Sequence, residues 1–359
     1  MTGFRDNADR VLPQSVTLND GRIDSEEALA VVQAIVEGWA EVRQARTTVV
    51  SGGITNALVR LQAAGQPDVL VRVYGPNTEV VVDRERENRL FARLSAAGFA
   101  PAYLGRFENG RVEGFLPGFR SLEPHEMGDH RWRDGIARTL AELHRMMPES
   151  PQPCTFETLR DWMERASAVD FEGERAEAHR ALGLPRLRAY LDRLEQSFHS
   201  QVLCGGGSLG HRTALAVVLA HNDLLSGNVL VDEATGAVRF IDYEYGDVGY
   251  AGFDVANHFC EYAGFDSDFA NGFPNQPLRW DFAATYLEAA TGEAPSIGDV
   301  ADFDRVVQFF VLVDHLWWGS WSVLQARHSP IDFDFMDYAR LRFAGLDLHT
   351  RMWGPTAGW

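Results

Sequence analysis

The sequence predicts an α+β fold in two parts: a small sheet-rich lobe over residues 1–113 and a larger helical lobe over residues 114–359. Three observations carry this. Short apolar runs separated by turn signals crowd the chain before Gly118. Beyond Gly118 the apolar residues recur at helical spacing. One stretch, 221-HNDLLSGNVLVD-232 with 239-RFIDYEYGD-247, breaks that helical run with short strands and a polar loop. At 359 residues and 45% apolar content the chain can bury a real core, as one two-lobed domain or as two domains.

In chain order, residues 1 to about 23 are polar and read as loose. A helix follows, with Asp24 as its cap, Glu27 at the third position, and Ala28, Val31, Val32, Ile35, Val36 and Trp39 on one face. Val49 to Gly53 reads as a strand running into a turn. Ala57 to Leu61 and Val69 to Tyr74 read as the strands of a hairpin. A charged helix spans 83–98 and buries Leu90, Phe91 and Leu94. Tyr103 to Phe107 and Arg111 to Leu116 form a second hairpin, closed by 108-ENG-110. After a hinge at 113–118, helices are expected at 130–146, 156–169, 174–199, 252–262, 280–290, 300–326 and 332–351. The segments 204-CGGGSLG-210 and 264–277 read as irregular. Strands are expected at Ala214 to Leu219, Val229 to Val231 and 238–241, with a turn at 232–237.

The interrupting stretch carries chemistry. Asp223, Asn228 and Asp242 stand at spacings that suit phosphoryl transfer. A positioned carboxylate accepts a proton from a hydroxyl, while an amide oxygen and a second carboxylate hold Mg²⁺ against nucleotide phosphates. Asp223 is then the base, and Asn228 and Asp242 the metal ligands. The H-x-D-x-x-x-x-N spacing is that of the protein-kinase catalytic loop. An isolated H-x-D is as often an ordinary turn. The Asn five residues on, and a strand ending in Ile-Asp, weigh against that here.

Composition narrows the classes further. A net charge of −18 argues against nucleic acid and anionic membrane surfaces as partners. All 33 basic residues are arginine, so no lysine mechanism is open and every cationic role falls to Arg. Cys154, Cys204 and Cys260 fit neither a disulfide framework nor a zinc site, and the cytoplasm is the expected compartment. The first ten residues lack the apolar core of a signal peptide. No apolar run approaches the ~20 residues of a membrane helix, so no stable membrane insertion is expected.

The segments 51-SGGITNAL-58, 69-VLVRVYG-75, 221-HNDLLSGN-228, 241-IDYEYGD-247, 254-DVANHFCEYAG-264 and 318-WGSWSVLQ-325 together resemble the choline/ethanolamine kinase family, from about Val49 to Phe343. The resemblance implies a bilobal protein-kinase-like (aminoglycoside phosphotransferase-like) fold, ATP and Mg²⁺ as cofactors, and a small-molecule substrate. It also leaves room for a homodimer. The segments 74-YGPNTEVVVDRERE-87, 261-EYAG-264 and 331-IDFDFMDYA-339 look more like the ethanolamine branch than the choline branch. Gly52, Gly53, Ile54, Thr55 and Asn56 lie in a loop whose glycines let backbone N–H groups approach phosphates. Arg72 stands where protein kinases keep a lysine, and Glu87 is the acidic partner expected to orient it. The hinge, with Gly114 and Leu116, would bind adenine by backbone groups. Gly114 replaces a larger polar residue often found there, so adenine gains no side-chain contact from it.

Glu244, two residues beyond Asp242 on an extended chain, points the same way and is a further metal candidate or an arginine's partner. For a cationic acceptor the resemblance implies Tyr245, Glu261, Trp318, Trp321, Phe333 and Tyr338. Periodicity alone would place the two tryptophans in the core. Asp254 and Asn257 share the Glu261 helix face and either line the site or brace the catalytic loop. The expected activity is transfer of the ATP γ-phosphoryl to the ethanolamine hydroxyl, supplying phosphatidylethanolamine synthesis. The alternatives are a choline or dual kinase, an aminoglycoside-type phosphotransferase, and a pseudokinase serving as a binding module.

Overall fold

The computed structural model describes residues 11–19, 21–50 and 56–357. The chain divides into two compact units. The first is Met1–Phe119 with Ser329–Ile331, and the second is Arg120–His328 with Asp332–Trp359.

The first unit is built on a six-stranded sheet. Asn56–Gln62 pairs antiparallel with Val69–Tyr74, and the latter with Gly110–Gly114. Tyr103–Phe107 and Arg46–Val50 extend the two sides. Val59, Leu61, Val69, Val71, Val73 and Val112 pack beneath Ala28, Val31, Val32 and Trp39. The stretch read as loose before residue 23 contains short strands. Val11–Leu12 runs parallel to Tyr103–Phe107, and Leu18–Asn19 pairs with Arg22–Ile23. A two-residue strand is too short to leave a periodic trace.

The helix Ser25–Ile35 begins as expected. The Asp24 carboxylate accepts the N–H groups of Glu26 and Glu27, a cap worth about 1 kcal/mol. Glu27 does not reciprocate, because its carboxylate accepts the Thr17 N–H instead. The second helix, Arg84–Ala96, buries Leu90, Phe91 and Leu94, and also Glu87 and Asn88.

The second unit is mostly helical. The expected helix at 174–199 is two, Gly173–Ala181 and Leu184–Ser197. Gly183 breaks it with φ of 69°, a left-handed conformation that glycine adopts without a Cβ penalty. The strand read from Ala214 is shorter, Val217–Ala220, and a helix, Leu209–Ala214, precedes it. Val229–Asp232 and Val238–Phe240 pair antiparallel around the expected turn. Two long helices, Ile297–His328 and Phe335–Ala357, pack against each other at Gly319, where a Cβ would collide with the Phe343 ring. No helix among the described residues is long and apolar enough to cross a membrane.

Candidate active site

In the first unit, Arg72 and Arg111 are directly opposed on neighbouring strands. Like charges so placed repel unless a carboxylate intervenes. Glu113 supplies it. One oxygen, Oε1, accepts from Arg72 Nε at 2.8 Å and from Arg111 Nε at 2.6 Å. Arg111 Nη1 then donates to Glu87 at 2.5 Å, and Arg84 Nη1 donates to the other Glu87 oxygen at 2.7 Å. Burial alone would raise the Glu87 carboxyl, but the guanidiniums of Arg111, Arg84 and Arg72 hold it down at about 2. Glu87, expected to orient Arg72, bonds Arg111 and Arg84, and the Arg72 charge also acts on it. Glu113 holds the Arg72 Nε, and Arg111 links the two carboxylates. Because Arg111 and Glu113 are two residues apart on a strand, they face the same way. Two charged residues on the inner face of a strand otherwise apolar at Val112 were the signal for this network.

At the hinge, the Gly114 N–H donates to Ala102 O at 2.8 Å and the Phe115 N–H to Asp68 O at 3.2 Å. A Cβ at Gly114 would press on Ala102 at 3.0 Å, which accounts for glycine at that position. Gly52, Gly53, Ile54 and Thr55 lie outside the described residues. Asn56 opens the strand that follows them.

The second unit gathers the catalytic loop. Asp254, at the start of the helix Ala251–Glu261, accepts the backbone N–H groups of His221 and Asn222 at 2.7 and 2.8 Å. His144 Nε2 lies 2.9 Å from the same carboxylate, and its Nδ1 lies 2.6 Å from the Tyr286 hydroxyl. Asn257 Oδ1 accepts the Leu224 N–H at 2.8 Å. Asp254 and Asn257 thus brace the loop, which settles the choice left open above.

His221 is wholly buried and joins the loop to the segment that carries Asp242. Its Nδ1 accepts the Asp223 N–H, and its Nε2 lies 2.9 Å from Ile241 O. A carbonyl can only accept, so the ring proton sits on Nε2. The Ile241 N–H donates to Asn228 O at 3.0 Å. Ile241 is therefore pinned from both sides, and Asp242 follows it with φ of 63°; Asn222 has φ of 64°. Left-handed backbone at non-glycine residues costs about 1–3 kcal/mol each and persists only where the surroundings impose it.

The donor set fits a hard divalent cation. The Asn228 amide nitrogen donates to Asp223 O at 2.8 Å and Asp223 Oδ2 at 3.1 Å. Both of those are acceptors, so the amide orientation is fixed and Oδ1 is left as an oxygen ligand. Asp242 and Glu244 add carboxylates. Burial pushes the Asp223 carboxyl well up, reinforced by the negative charges of Glu261, Asp242 and Glu244.

The aromatic residues converge as well. Tyr245, Trp318 and Trp321 form an edge-to-face triangle with centroids 5.2, 6.3 and 5.1 Å apart, and Trp321 Nε1 donates to the Tyr245 hydroxyl at 2.8 Å. Phe335, which the sequence reading missed, extends the cluster from Trp321 to Phe333, and Phe333 contacts Tyr338. Glu261 is buried and accepts from Arg342 Nη1 at 3.1 Å. Burial raises its carboxyl to about 7 against the pull of Arg342.

One braced loop thus presents Asp223 and Asn228, and the buried Glu261 and a cluster of aromatic rings lie in the same unit. Residues 47–347 match the family described as choline/ethanolamine kinase. The chain belongs to the choline/ethanolamine kinase family. It is 35% identical to a probable ethanolamine kinase of Arabidopsis thaliana, over 86% of this chain and 81% of that one. It is 32% identical to a probable choline kinase of the same plant, over 88% and 90%. A crystal structure of choline kinase from Cryptosporidium parvum superposes with a TM-score of 0.75 at 25% identity, covering 94% of this chain and 99% of that one. Membership makes this chain an ATP-using kinase with an alcohol group as acceptor.

Proposed function

We propose that this kinase phosphorylates the hydroxyl of ethanolamine to give phosphoethanolamine. The observation that carries the reading is a charge imbalance inside the second unit. Asp223, Glu261 and Asp314 are three buried carboxylates, and the Arg342 guanidinium pairs with the last two. Burial pushes all three carboxyls upward, so each gains from a further cation. An ammonium supplies that charge. A primary ammonium also donates three hydrogen bonds, which a carboxylate accepts and a quaternary ammonium cannot offer. The aromatic triangle contributes ring faces that suit either kind of ammonium. This is why choline remains the second reading.

In this account Asp223 Oδ2, held by the Asn228 amide, accepts the proton of the substrate hydroxyl. Asn228, Asp242 and Glu244 would hold Mg²⁺, and the ion would supply charge neutralisation for the transferring phosphoryl group. Arg72, oriented by Glu113, and the 51–56 loop hold the triphosphate. Leu116 offers its backbone to adenine, since the N–H groups of Gly114 and Phe115 are already used. Catalysis then rests on positioning and charge neutralisation. Three free thiols, Cys154, Cys204 and Cys260, suit a reducing compartment.

The test is ADP release from Mg²⁺-ATP with ethanolamine, choline or no acceptor. Ethanolamine-dependent turnover above choline supports the reading. Choline turnover equal or better moves the substrate to the second reading.

A further inference from the structure

The acceptor site is held at two ends: Asp223 on the catalytic loop, and Glu261 at the last turn of its helix. A continuous run of hydrogen bonds joins them without passing through solvent. The Leu224 N–H, next to Asp223, donates to Asn257 Oδ1 at 2.8 Å. Asn257 Nδ2 donates to Asp314 Oδ1 at 3.2 Å. Asp314 Oδ2 pairs with Arg342 Nη2, which also donates to the Asp314 carbonyl at 3.2 Å. Arg342 Nη1 closes the run on Glu261 Oε1 at 3.1 Å and on the Tyr338 hydroxyl at 3.4 Å. Asp314 and Asn257 are wholly buried, and Arg342 is 1% exposed.

We propose that Asp314 and Arg342 are the positioning pair of the acceptor site, fixing the Glu261 carboxylate relative to the catalytic loop and so setting the length of amino alcohol accepted. The inference rests on the ethanolamine reading above. Three physical points support it. First, a buried ion pair adds little net stability over apolar residues of the same size, because desolvation offsets the attraction. Stability alone therefore gives weak reason for charge here. Second, Arg342 cannot rotate away from Glu261 without abandoning Asp314, since its two terminal nitrogens are committed to different carboxylates on different helices. A planar fork transmits position in a way that a lysine ammonium does not. Third, the last link binds two groups of the proposed ammonium subsite, Glu261 and Tyr338, so one side chain sets both.

A rigid two-ended site discriminates by length. Ethanolamine puts two carbons between oxygen and nitrogen. An acceptor with three carbons would place its hydroxyl or its ammonium out of register. Loosening the far end should cost affinity for ethanolamine and reduce the penalty on the longer acceptor.

The experiment measures KM and kcat for ethanolamine and 3-amino-1-propanol, with KM for ATP, in the wild type, Arg342→Lys, and the paired variant Asp314→Leu/Arg342→Met. The paired variant removes the Asp314–Arg342 charges together but still costs Glu261 its partner, so urea unfolding first establishes that it folds, and Arg342→Lys, which keeps the charge, carries the test if it does not. The expected result is a KM for ethanolamine raised about tenfold or more in both variants, and a preference for the two-carbon acceptor reduced by a similar factor, the size of a one-methylene discrimination. KM for ATP should hold within about twofold, since Arg342 lies outside the nucleotide unit. A paired variant that folds and keeps the wild-type KM and preference would overturn the inference and leave the ethanolamine reading standing. Proportional loss on both acceptors and on ATP would also overturn it, as a purely structural role. A wild type inactive on every amino alcohol would overturn the ethanolamine reading, and this inference with it.

Discussion

Replacing Arg111 by alanine should destabilise the first unit far more than breaking an exposed ion pair of the same type. Arg111 is fully buried, donates to both Glu87 and Glu113, and lies 4.2 Å over the Phe91 ring. Its removal leaves the Glu87 and Glu113 side chains, 1% and 3% exposed, short of a partner. Removing one member of a buried pair costs about 3–5 kcal/mol, because a buried charge is left uncompensated. That is a large share of the roughly 5–15 kcal/mol that holds a typical domain folded. The control is Arg106→Ala, which breaks the pair with Glu85, whose side chain is 64% exposed. Pairs of that kind are worth about 0.2–1 kcal/mol. With a urea slope of roughly 1–3 kcal/mol per molar, the Arg111 variant should lower the unfolding midpoint by about 1–5 M. The Arg106 variant should shift it by a few tenths. Because Glu113 also orients Arg72, KM for ATP should rise in whatever fraction stays folded. Equal midpoint shifts in the two variants would refute the reasoning, since burial would then confer nothing.

Three further outcomes follow from the same structure. With its carboxyl raised to about 7, Glu261 is protonated below that pH in the free enzyme, so kcat/KM for ethanolamine should fall as pH drops through 7; a flat profile between pH 6 and 8 would contradict this. His349 is buried and held down at about 3, by burial first and then by the charges of Arg279 and Arg342. The unfolded histidine takes up its proton below about 6.5, so stability is full above that pH and lost as pH falls towards 3, by up to roughly 4–5 kcal/mol from this group. Urea midpoints for wild type and His349→Gln should therefore converge on acidification, and parallel curves would count against it. Trp321→Ala removes an aromatic face and the donor to Tyr245, and should raise KM for choline more than for ethanolamine; equal losses would mean the ring is structural.

The candidate phosphotransfer residues could be read from the sequence because they lie close together along it. Asp223, Asn228 and Asp242 fall within twenty residues, and fixed spacing betrays them. The aromatic residues came from the family resemblance, and the structure brings them into one cluster. What the sequence hid was the scaffolding between distant segments. Arg342 and Glu261 are 81 residues apart, and Asp254 and His144 are 110. No local pattern pairs them. One signal was present: the stripe Phe335, Ala339, Arg342, Leu346, His349 and Trp353 is buried along one helix, with an arginine and a histidine inside it. A charge in a buried stripe demands a partner. The part of Glu113 and Arg111 in the Arg72 network was hidden for a related reason: cross-strand register, which sets Arg72 against Arg111, is a tertiary property. The expected long helix at 174–199 failed at a local breaker, Gly183, that helical periodicity on both sides concealed.

The most direct test follows phosphoethanolamine formation by ³¹P NMR with Mg²⁺-ATP and ethanolamine, in wild type and Asp223→Asn, alongside ATP binding by each. The account predicts product from the wild type, and a loss of at least about 10²–10⁴-fold in the variant, the range a general base contributes. ATP binding should be largely unchanged, because Asp223 belongs to the acceptor side of the site. Product formed by Asp223→Asn at near wild-type rate, or none from the wild type, would contradict it.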